Sequence, residues 1–286
     1  MKIFDAIIQG IIQGITEFLP VSSSGHLAIS QYFLGVKESN LLFNIFLHLG
    51  TLFSVLFVYR KIILKLIINF FDFKNLFSKK SRNKYQKLII NLIIALLPLV
   101  FLLVPIPKIK SLKSLAKNLS ESDSLLPIGI FLIFTSFLIL IGFLCSKSLN
   151  KRDKRNKNKK NIFEIKPKNS FLIGTAQMLA AVFPGLSRSG STLSIGLIQN
   201  IDKKSAIDFS FIMGIPAIIA ASILEFKEAI ETGVKIEFIP TIIGITVSAI
   251  VGFLSIKLFK WLVSSNKLWI FSIYTFVLGL IIILFR

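Results

Sequence analysis

Thiol, imidazole and carboxylate side chains are all scarce in this sequence. Its 286 residues include one cysteine, Cys145, two histidines and 14 acidic residues. A single thiol forms no intramolecular disulfide and no cysteine-based metal cluster. The histidines and acidic residues show no pair at the spacing of a zinc site. The composition therefore argues against a disulfide-stabilised domain and against a structural zinc protein.

Charged residues of any kind are also few, and apolar residues dominate. Only 17% of the residues are charged, 53% are hydrophobic, and the mean hydropathy is +0.76. These proportions are too apolar for an ordinary soluble domain. Several apolar runs reach or approach the roughly 20 residues that a spanning helix needs. The sequence predicts an all-α polytopic membrane protein that forms a single membrane domain over residues 1–286.

The charge that is present is strongly basic, with a formal net charge of +20. The Lys and Arg residues lie almost wholly between the apolar runs, where they act as signals of membrane topology. They form no basic stripe interleaved with aromatic residues, the pattern expected of nucleic-acid-binding domains. We therefore expect membrane lipid as a partner and no nucleic acid.

Apolar runs predict six spanning helices, at 42–60, 86–105, 126–146, 205–225, 238–260 and 267–285. Two further apolar stretches, 3–35 and 169–200, are interrupted by proline, glycine and serine at 20–25 and 184–190. The piece after the first break has about 12 residues and would span only about 18 Å, short of a hydrocarbon core about 30 Å thick. Each stretch therefore predicts a broken, re-entrant helical hairpin, whose irregular backbone must be surrounded by protein or water.

The two broken stretches also resemble each other. Four residues recur 164 positions later: Gly10, Gln13, Pro20 and Gly50 as Gly174, Gln177, Pro184 and Gly214. An odd number of spans, three, separates the copies, so they enter the membrane from opposite sides. The pattern predicts inverted repeats, about 1–105 and 165–286, with the functional site where the two breaks meet near the midplane.

The distribution of basic residues predicts the orientation. With the N-terminus outside, 24 of the 34 Lys and Arg residues fall on the inside, nine fall outside, and Arg188 lies in the second break. This bias follows the positive-inside rule. The most basic loop, 146–161, is expected to anchor on anionic lipid at the cytoplasmic face.

Polar residues before the first break form one face of a helix. Asp5, Gln9, Gln13 and Glu17 recur every four residues. Glu17 is the deepest acid, and a buried carboxylate must be protonated, paired or in contact with water. It is therefore a candidate catalytic residue. The alternative is that Glu17 is only the structural partner of a cation.

The first break itself carries hydroxyl groups and a histidine. Ser22, Ser23 and Ser24 precede Gly25 and His26 where a helix restarts. Serines cap a helix start, and its free N–H groups bind anions. His26, beside a carboxylate and hydroxyl groups, is a candidate acid, base or nucleophile. Small-residue packing with a satisfied buried histidine is the alternative.

The second break suits a phosphate group. Ser187, Arg188, Ser189, Gly190 and Thr192 supply one guanidinium, three hydroxyls and a flexible backbone at another helix start. A planar guanidinium binds phosphate in a bidentate manner. Alternatively, the arginine only pairs with the acid of the first break.

Two polar residues lie on the helices that follow the breaks, His48 and Asp208. We expect each to support the site through hydrogen bonds rather than to act directly.

The motifs "QGITEFLPVSSSGH" and "PGLSRSGST" together resemble those of the undecaprenyl-diphosphatase family, the bacitracin-resistance type of bacterial membrane phosphatase. The resemblance covers essentially the whole chain. It implies hydrolysis of undecaprenyl diphosphate to undecaprenyl phosphate and inorganic phosphate, which recycles the lipid carrier for cell-wall synthesis. It also implies a multi-pass protein of the bacterial cytoplasmic (inner) membrane, with the site facing the outer side.

By this resemblance, eight residues fall on the family's functional positions: Glu17, Ser22, Ser23, His26, Ser187, Arg188, Ser189 and Thr192. Many members have Glu where this chain has Gln13, so we expect Gln13, like Ser24, to bind the substrate rather than act as a base. The resemblance further implies a divalent cation, Mg²⁺ or Ca²⁺, with Glu17 as the one certain ligand and substrate phosphates and water completing the set. The sequence is compatible with a homodimer and does not specify one.

These residues suggest separate roles in binding and catalysis. Arg188 and the hydroxyls around it hold the diphosphate, Ser23 or a water attacks the terminal phosphorus, and Glu17 with His26 takes and returns the proton. A rival hypothesis is a carrier that flips undecaprenyl phosphate, since inverted repeats are typical of secondary transporters. An anion channel is a third. The enzyme is favoured because a carrier has no evident need for the acid, the histidine and the nucleophile together.

Overall fold

The computed structural model describes residues 2–34, 41–78, 81–102, 125–152, 161–231 and 237–285. Helices make up the regular structure of these residues, with a short 3-10 turn at Ile162–Glu164. The helices are α1 (Ile3–Thr16), α2 (Ser23–Leu34), α3 (Leu41–Phe70), α4 (Phe73–Phe77), α5 (Lys84–Phe101), α6 (Leu126–Arg152), α7 (Pro167–Val182), α8 (Arg188–Ile198), α9 (Lys203–Glu231), α10 (Phe238–Ser264) and α11 (Trp269–Leu284).

The fold is that of an all-α, multi-pass membrane protein, as predicted. Each predicted span corresponds to one helix, and α3, α5, α6, α9 and α10 are long and apolar enough to cross a membrane. The sixth, α11, is apolar but has only 16 residues. Large apolar side chains are exposed on the outer faces of the described helices, for example Phe57 and Ile250. Such a surface suits lipid rather than water.

Several helix ends differ from the prediction, including those of α6 at Arg152 and α9 at Glu231, and the end of α3 differs most. Helix α3 continues to Phe70 instead of ending near residue 60, although Lys61 and Lys65 interrupt its apolar sequence. Leu66 in the extension is buried in the main core. The span predicted at 86–105 ends as a helix at Phe101, and residues 103–105 lie outside the described part of the chain.

Both broken hairpins are present. The first has α1 and α2 on either side of residues 17–22, and the second has α7 and α8 on either side of residues 183–187. Each break contains a proline and a residue with positive φ, which is Ser22 at +71° and Gly185 at +92°. At Gly185 a side chain would also collide with the neighbouring helix α6, because a Cβ atom would lie 2.5 Å from the carbonyl oxygen of Ile128.

The two breaks contact each other directly. The Ser189 hydroxyl donates to the Leu19 carbonyl oxygen across a distance of 3.1 Å. A Cβ atom on Gly190 would lie 3.2 Å from Cβ of Pro20, so the start of α8 packs on the first break. The starts of α2 and α8 are thereby held at one place in the molecule.

Glycines bring each hairpin close to a spanning helix. A Cβ atom on Gly10 of α1 would lie 3.0 Å from the Gly244 carbonyl oxygen of α10, and one on Gly174 of α7 would lie 2.0 Å from the Ala95 carbonyl oxygen of α5. Small residues permit this close packing of helices in membranes. Gly10 and Gly174 are equivalent positions in the predicted repeat, and the repeat itself stays a prediction.

Asp208 joins three helices away from the breaks. Its carboxylate accepts a hydrogen bond of 2.7 Å from the Tyr59 hydroxyl of α3. It also forms an ion pair of 2.9 Å with the Lys260 ammonium of α10. Asp208 therefore supports the packing of α3, α9 and α10, and it is not among the described residues that line the cavity considered below.

Candidate active site

Glu17 lies at the first break, immediately after α1, and is nearly completely buried. Its Oε2 atom accepts a hydrogen bond of 3.0 Å from the side-chain amide of Gln13, one helical turn earlier. Gln13 is fully buried, and its own Oε1 atom has no hydrogen-bond partner among the described residues. The polar face of α1 thus ends in a carboxylate whose position is fixed by the helix.

Arg188, the first residue of α8, joins the second break to the first. Its Nη2 atom donates a short hydrogen bond to Oε1 of Glu17, which forms a buried ion pair. The Glu17 side chain is 4% exposed and the Arg188 side chain 21%, so the arginine retains access to solvent or ligand. Removal of Arg188 would leave the buried Glu17 carboxylate without its ion-pair partner.

Serines of the first break surround the same carboxylate. The Ser23 hydroxyl, at the start of α2, donates a hydrogen bond of 2.8 Å to Oε2 of Glu17. Ser22 is buried, and its hydroxyl oxygen lies 3.4 Å from both the Gly25 N–H and the Ser24 hydroxyl. Ser24 is exposed. The hydroxyl bonded to the acid is therefore that of Ser23.

Hydroxyls of the second break mainly hold the backbone. Ser187 caps α8, since its hydroxyl accepts from the Gly190 N–H at 3.1 Å, and its own N–H donates to Thr135 of α6 at 3.0 Å. Thr192 is fully buried and donates to the Arg188 carbonyl oxygen at 2.8 Å, and its hydroxyl lies 2.6 Å from that of Ser210. These bonds fix the helix start that carries the arginine.

A cavity of about 230 Å³ opens where the two breaks meet. Its polar lining comes mostly from the breaks: Glu17, Ser22, Ser23, Ser24, Ser187, Arg188 and Ser189, with Thr16, His48, Gln177, Ser222 and Glu225 from the helices. Of the predicted site residues, all of which the structure describes, Gln13, His26 and Thr192 do not line it. They contact the lining residues or their neighbours instead.

His26 is directed away from Glu17. Its Nδ1 atom lies 2.8 Å from the Ser22 carbonyl oxygen, which can only accept, so Nδ1 carries a proton. In the neutral ring, Nε2 then accepts from the Tyr274 hydroxyl of α11 at 2.7 Å. The two rings are also stacked, with centroids 5.6 Å apart. In this state His26 supports the positive-φ turn at Ser22.

His48 of α3 is the histidine that faces the acid. Its Nδ1 atom donates to the Asn44 carbonyl oxygen at 2.8 Å, and its Nε2 atom lies 3.6 Å from Oε2 of Glu17. The sequence analysis predicted only a supporting role for His48. The only signal for a direct role was the presence of a histidine within an apolar helix. That signal does not reveal which face of the helix carries the histidine.

Gln177 of α7 is a second lining residue that the sequence did not assign to the site. Both polar atoms of its side-chain amide are buried without a hydrogen-bond partner among the described residues. A buried, unsatisfied amide is costly, and in a cavity it is available to a ligand. The signal was present, because Gln177 recurs at the position equivalent to Gln13.

The cavity has the chemistry of an anion site with an acid beside it. The starts of α2 and α8 face it, and the first N–H groups of a helix bind anions. Arg188 adds a fixed positive charge, and Ser23 adds a nucleophile bonded to a proton acceptor. No group of three or more His, Cys, Asp or Glu residues in the described chain could hold a metal ion alone.

Fold and site together define a polytopic membrane protein with a cavity between two broken helices, lined by an arginine, a glutamate and several hydroxyls. The family model described as bacitracin resistance protein BacA matches residues 6–281. The chain therefore belongs to this family.

Proteins with curated names match along the whole chain. An undecaprenyl-diphosphatase of Alkaliphilus metalliredigens is 37% identical, with 100% of this chain and 99% of the relative covered. One of Bacteroides fragilis is 36% identical, with 99% and 98% covered. One of Halothermothrix orenii is 31% identical, with 99% and 98% covered.

Proposed function

We propose that the protein hydrolyses undecaprenyl diphosphate to undecaprenyl phosphate and inorganic phosphate in the cavity between its two breaks. The activity is that of the curated relatives, whose names state it. The observation that supports this cavity as the site is the pairing of Glu17 with Arg188 across the two helix starts. One partner binds a phosphate, and the other exchanges a proton.

Arg188 and the two helix starts hold the diphosphate. The guanidinium leaves Glu17 in part to form bidentate hydrogen bonds with the terminal phosphate, while the N–H groups of α2 and α8 face the same oxygens. Phosphoryl transfer depends mainly on such positioning and charge stabilisation. Gln177 contributes an amide that has no other partner among the described residues.

Ser23 and Glu17 carry the chemical step. The Ser23 oxygen, or a water at its position, attacks the terminal phosphorus as its proton passes to Glu17, to which Ser23 already donates at 2.8 Å. The bond from the terminal phosphorus to the bridging oxygen breaks, and undecaprenyl phosphate leaves. If Ser23 is the nucleophile, water then hydrolyses the phosphoserine and releases inorganic phosphate. His26 holds the Ser22 turn, and His48 Nε2 faces the acid from α3.

A divalent cation, Mg²⁺ or Ca²⁺, fits the donors that line the cavity. Glu17 and Glu225 supply carboxylates and the serines supply hydroxyl oxygens, all of them hard ligands. Mg²⁺ is usually held by one or two carboxylates together with substrate phosphates. When bound here it would neutralise phosphate charge, with Glu17 as the principal protein ligand.

The isoprenoid chain leaves the cavity sideways. The cavity volume of about 230 Å³ is below the volume range typical of pockets for drug-sized ligands. The cavity therefore accommodates the head group and not the isoprenoid chain. One wall is apolar, and it is formed by Leu99 of α5, Ala180 of α7, and Ala217 and Ala221 of α9. The chain would pass between these helices into the bilayer.

We place the protein in the bacterial cytoplasmic membrane with the cavity on the outer side. Leu99 and Glu225 line the cavity near the ends of α5 and α9. Both helices begin next to the basic segments 60–87 and 201–205, so the cavity lies towards the opposite side of the membrane. The inverted repeat is a proposal of the same kind, and a homodimer stays a prediction.

Phosphate release by the purified protein separates the enzyme from a carrier. We expect undecaprenyl diphosphate in detergent micelles to yield inorganic phosphate, because hydrolysis needs no membrane gradient or second compartment. A carrier would bind the lipid in micelles and release no phosphate. In that outcome the Glu17–Arg188 pair would bind the lipid diphosphate without catalysing its hydrolysis.

A further inference from the structure

A second cavity lies on the lipid-facing surface of α3 and α10, and none of its lining residues lines the Glu17 cavity. Its volume is about 500 Å³. Three aromatic rings form its walls, those of Phe53, Phe57 and Phe253. The Ser54 hydroxyl, which donates to the Ala249 carbonyl oxygen at 2.6 Å, joins the two helices beneath them. The result is an apolar groove that is open to the bilayer.

Two cations lie at one end of this groove. The guanidinium carbon of Arg60 is 4.6 Å from the centre of the Phe57 ring. The ammonium of Lys257 is 4.2 Å from the centre of the Phe253 ring. These two rings contact each other edge to face, with centroids 5.6 Å apart. Cation–π contacts therefore hold the two charges at the same end of the groove, one on each side.

Nothing acidic in the described part of the chain forms an ion pair with either cation. Both side chains are exposed, and they belong to the basic segments 60–87 and 257–267, which the positive-inside rule predicts to be cytoplasmic. An apolar groove between spanning helices that ends in paired cations complements a lipid with a negatively charged head group.

We propose that this groove binds an anionic glycerophospholipid of the inner leaflet. An acyl chain lies along Phe53, Phe57 and Phe253, and the head-group phosphate lies between Arg60 and Lys257. A zwitterionic lipid binds less well, because its own ammonium group repels the two cations. The bound lipid bridges α3, which carries His48, and α10, which packs against α1, so it supports the helices around the catalytic cavity from the opposite side of the membrane.

The test is native mass spectrometry of the purified protein in detergent. It is titrated with dioleoyl phosphatidylglycerol or dioleoyl phosphatidylcholine. We expect the dissociation constant to be at least about tenfold lower for the anionic lipid. The double variant Arg60→Gln, Lys257→Gln should bind both lipids equally. The matched variant Lys61→Gln, Lys147→Gln removes two exposed charges outside the groove and should keep the preference.

A second variant tests the groove rather than the charges. Ala249→Phe would fill it and leave both cations in place, and we expect binding of the anionic lipid to weaken by at least about tenfold. Unchanged binding in this variant, or an equal loss of preference in the matched charge variant, would overturn the proposal. It would also be overturned if undecaprenyl phosphate displaced phosphatidylglycerol at equimolar concentration, or if Ala249→Phe converted a dimer to a monomer without changing lipid binding.

Discussion

Gly214 of α9 lies directly against the guanidinium group of Arg188. A Cβ atom at this glycine would be 2.0 Å from Nη1 of the arginine, which is far inside van der Waals contact. The conformation that brings Arg188 to Glu17 therefore depends on the absence of a side chain on a neighbouring helix.

This contact predicts that Gly214→Ala displaces the arginine and lowers kcat/KM by roughly 10- to 100-fold, or about 1.4–2.7 kcal/mol in the barrier. The matched control is Gly196→Ala in α8, whose Cβ would lie 3.2 Å from Cβ of Ala206 and would not contact the Arg188 guanidinium, so activity should fall less than in Gly214→Ala. The measurement is phosphate release with both variants at equal amounts of folded protein. Equal activities would show that Arg188 acts in another conformation.

Arg188→Lys tests the shape of the phosphate clamp. Lysine retains the positive charge but lacks the planar fork that binds two phosphate oxygens at once. We expect activity to fall by at least about 100-fold, about 2.7 kcal/mol in the barrier, while the protein still inserts. Near wild-type turnover in this variant would remove bidentate binding from the mechanism.

A variant at Gln13 tests the effect of adding an acid to the site. A neutral amide only forms hydrogen bonds near pH 7, and here it donates to Glu17. Gln13→Glu should be tolerated, because the family that the sequence resembles often has Glu at this position. It should shift the dependence of phosphate release on pH and on magnesium concentration. An inactive Gln13→Ala alongside an active Glu17→Gln would transfer the essential role from the acid to the amide.

The orientation is tested by thiol labelling in intact cells after Cys145→Ser. A cysteine introduced by Ser81→Cys should resist a membrane-impermeant reagent, because residue 81 lies in the basic segment assigned to the inside. One introduced by Lys227→Cys should react, since residue 227 lies near the end of α9 that we propose to face outward. Both positions are exposed in the structure. The reverse pattern would place the catalytic cavity on the cytoplasmic side.

Much of the architecture was predictable because the bilayer imposes strict length and polarity requirements. The spanning helices and the two breaks followed from apolar run length and from Pro20 and Pro184. The extent of α3 did not, because Lys61 and Lys65 resemble the start of a loop. Whether a helix continues beyond the membrane depends on packing, here of Leu66, which a hydropathy pattern does not contain.

The ion pair of the site was predictable from the sequence, whereas the positions of the two histidine side chains were less so. Glu17 and Arg188 were the deep charges of two breaks expected to meet. His26 is close to Ser23 in the sequence, but the turn at Ser22 directs its ring towards Tyr274, 248 residues away. His48 reaches Glu17 from another helix. Contacts over such separations depend on tertiary packing and leave no local pattern.

Catalysis at the Glu17–Arg188 pair is tested most directly by comparing phosphate release from undecaprenyl diphosphate by the wild-type protein and by Glu17→Gln. Proton transfer by a positioned side chain is typically worth 10²- to 10⁴-fold. We expect the variant to lose roughly that much in kcat, while Glu164→Gln, outside the cavity, retains wild-type activity. If Glu17→Gln turned over undecaprenyl diphosphate at the wild-type rate, the acid would be structural, and the account of catalysis at the Glu17–Arg188 pair would be contradicted.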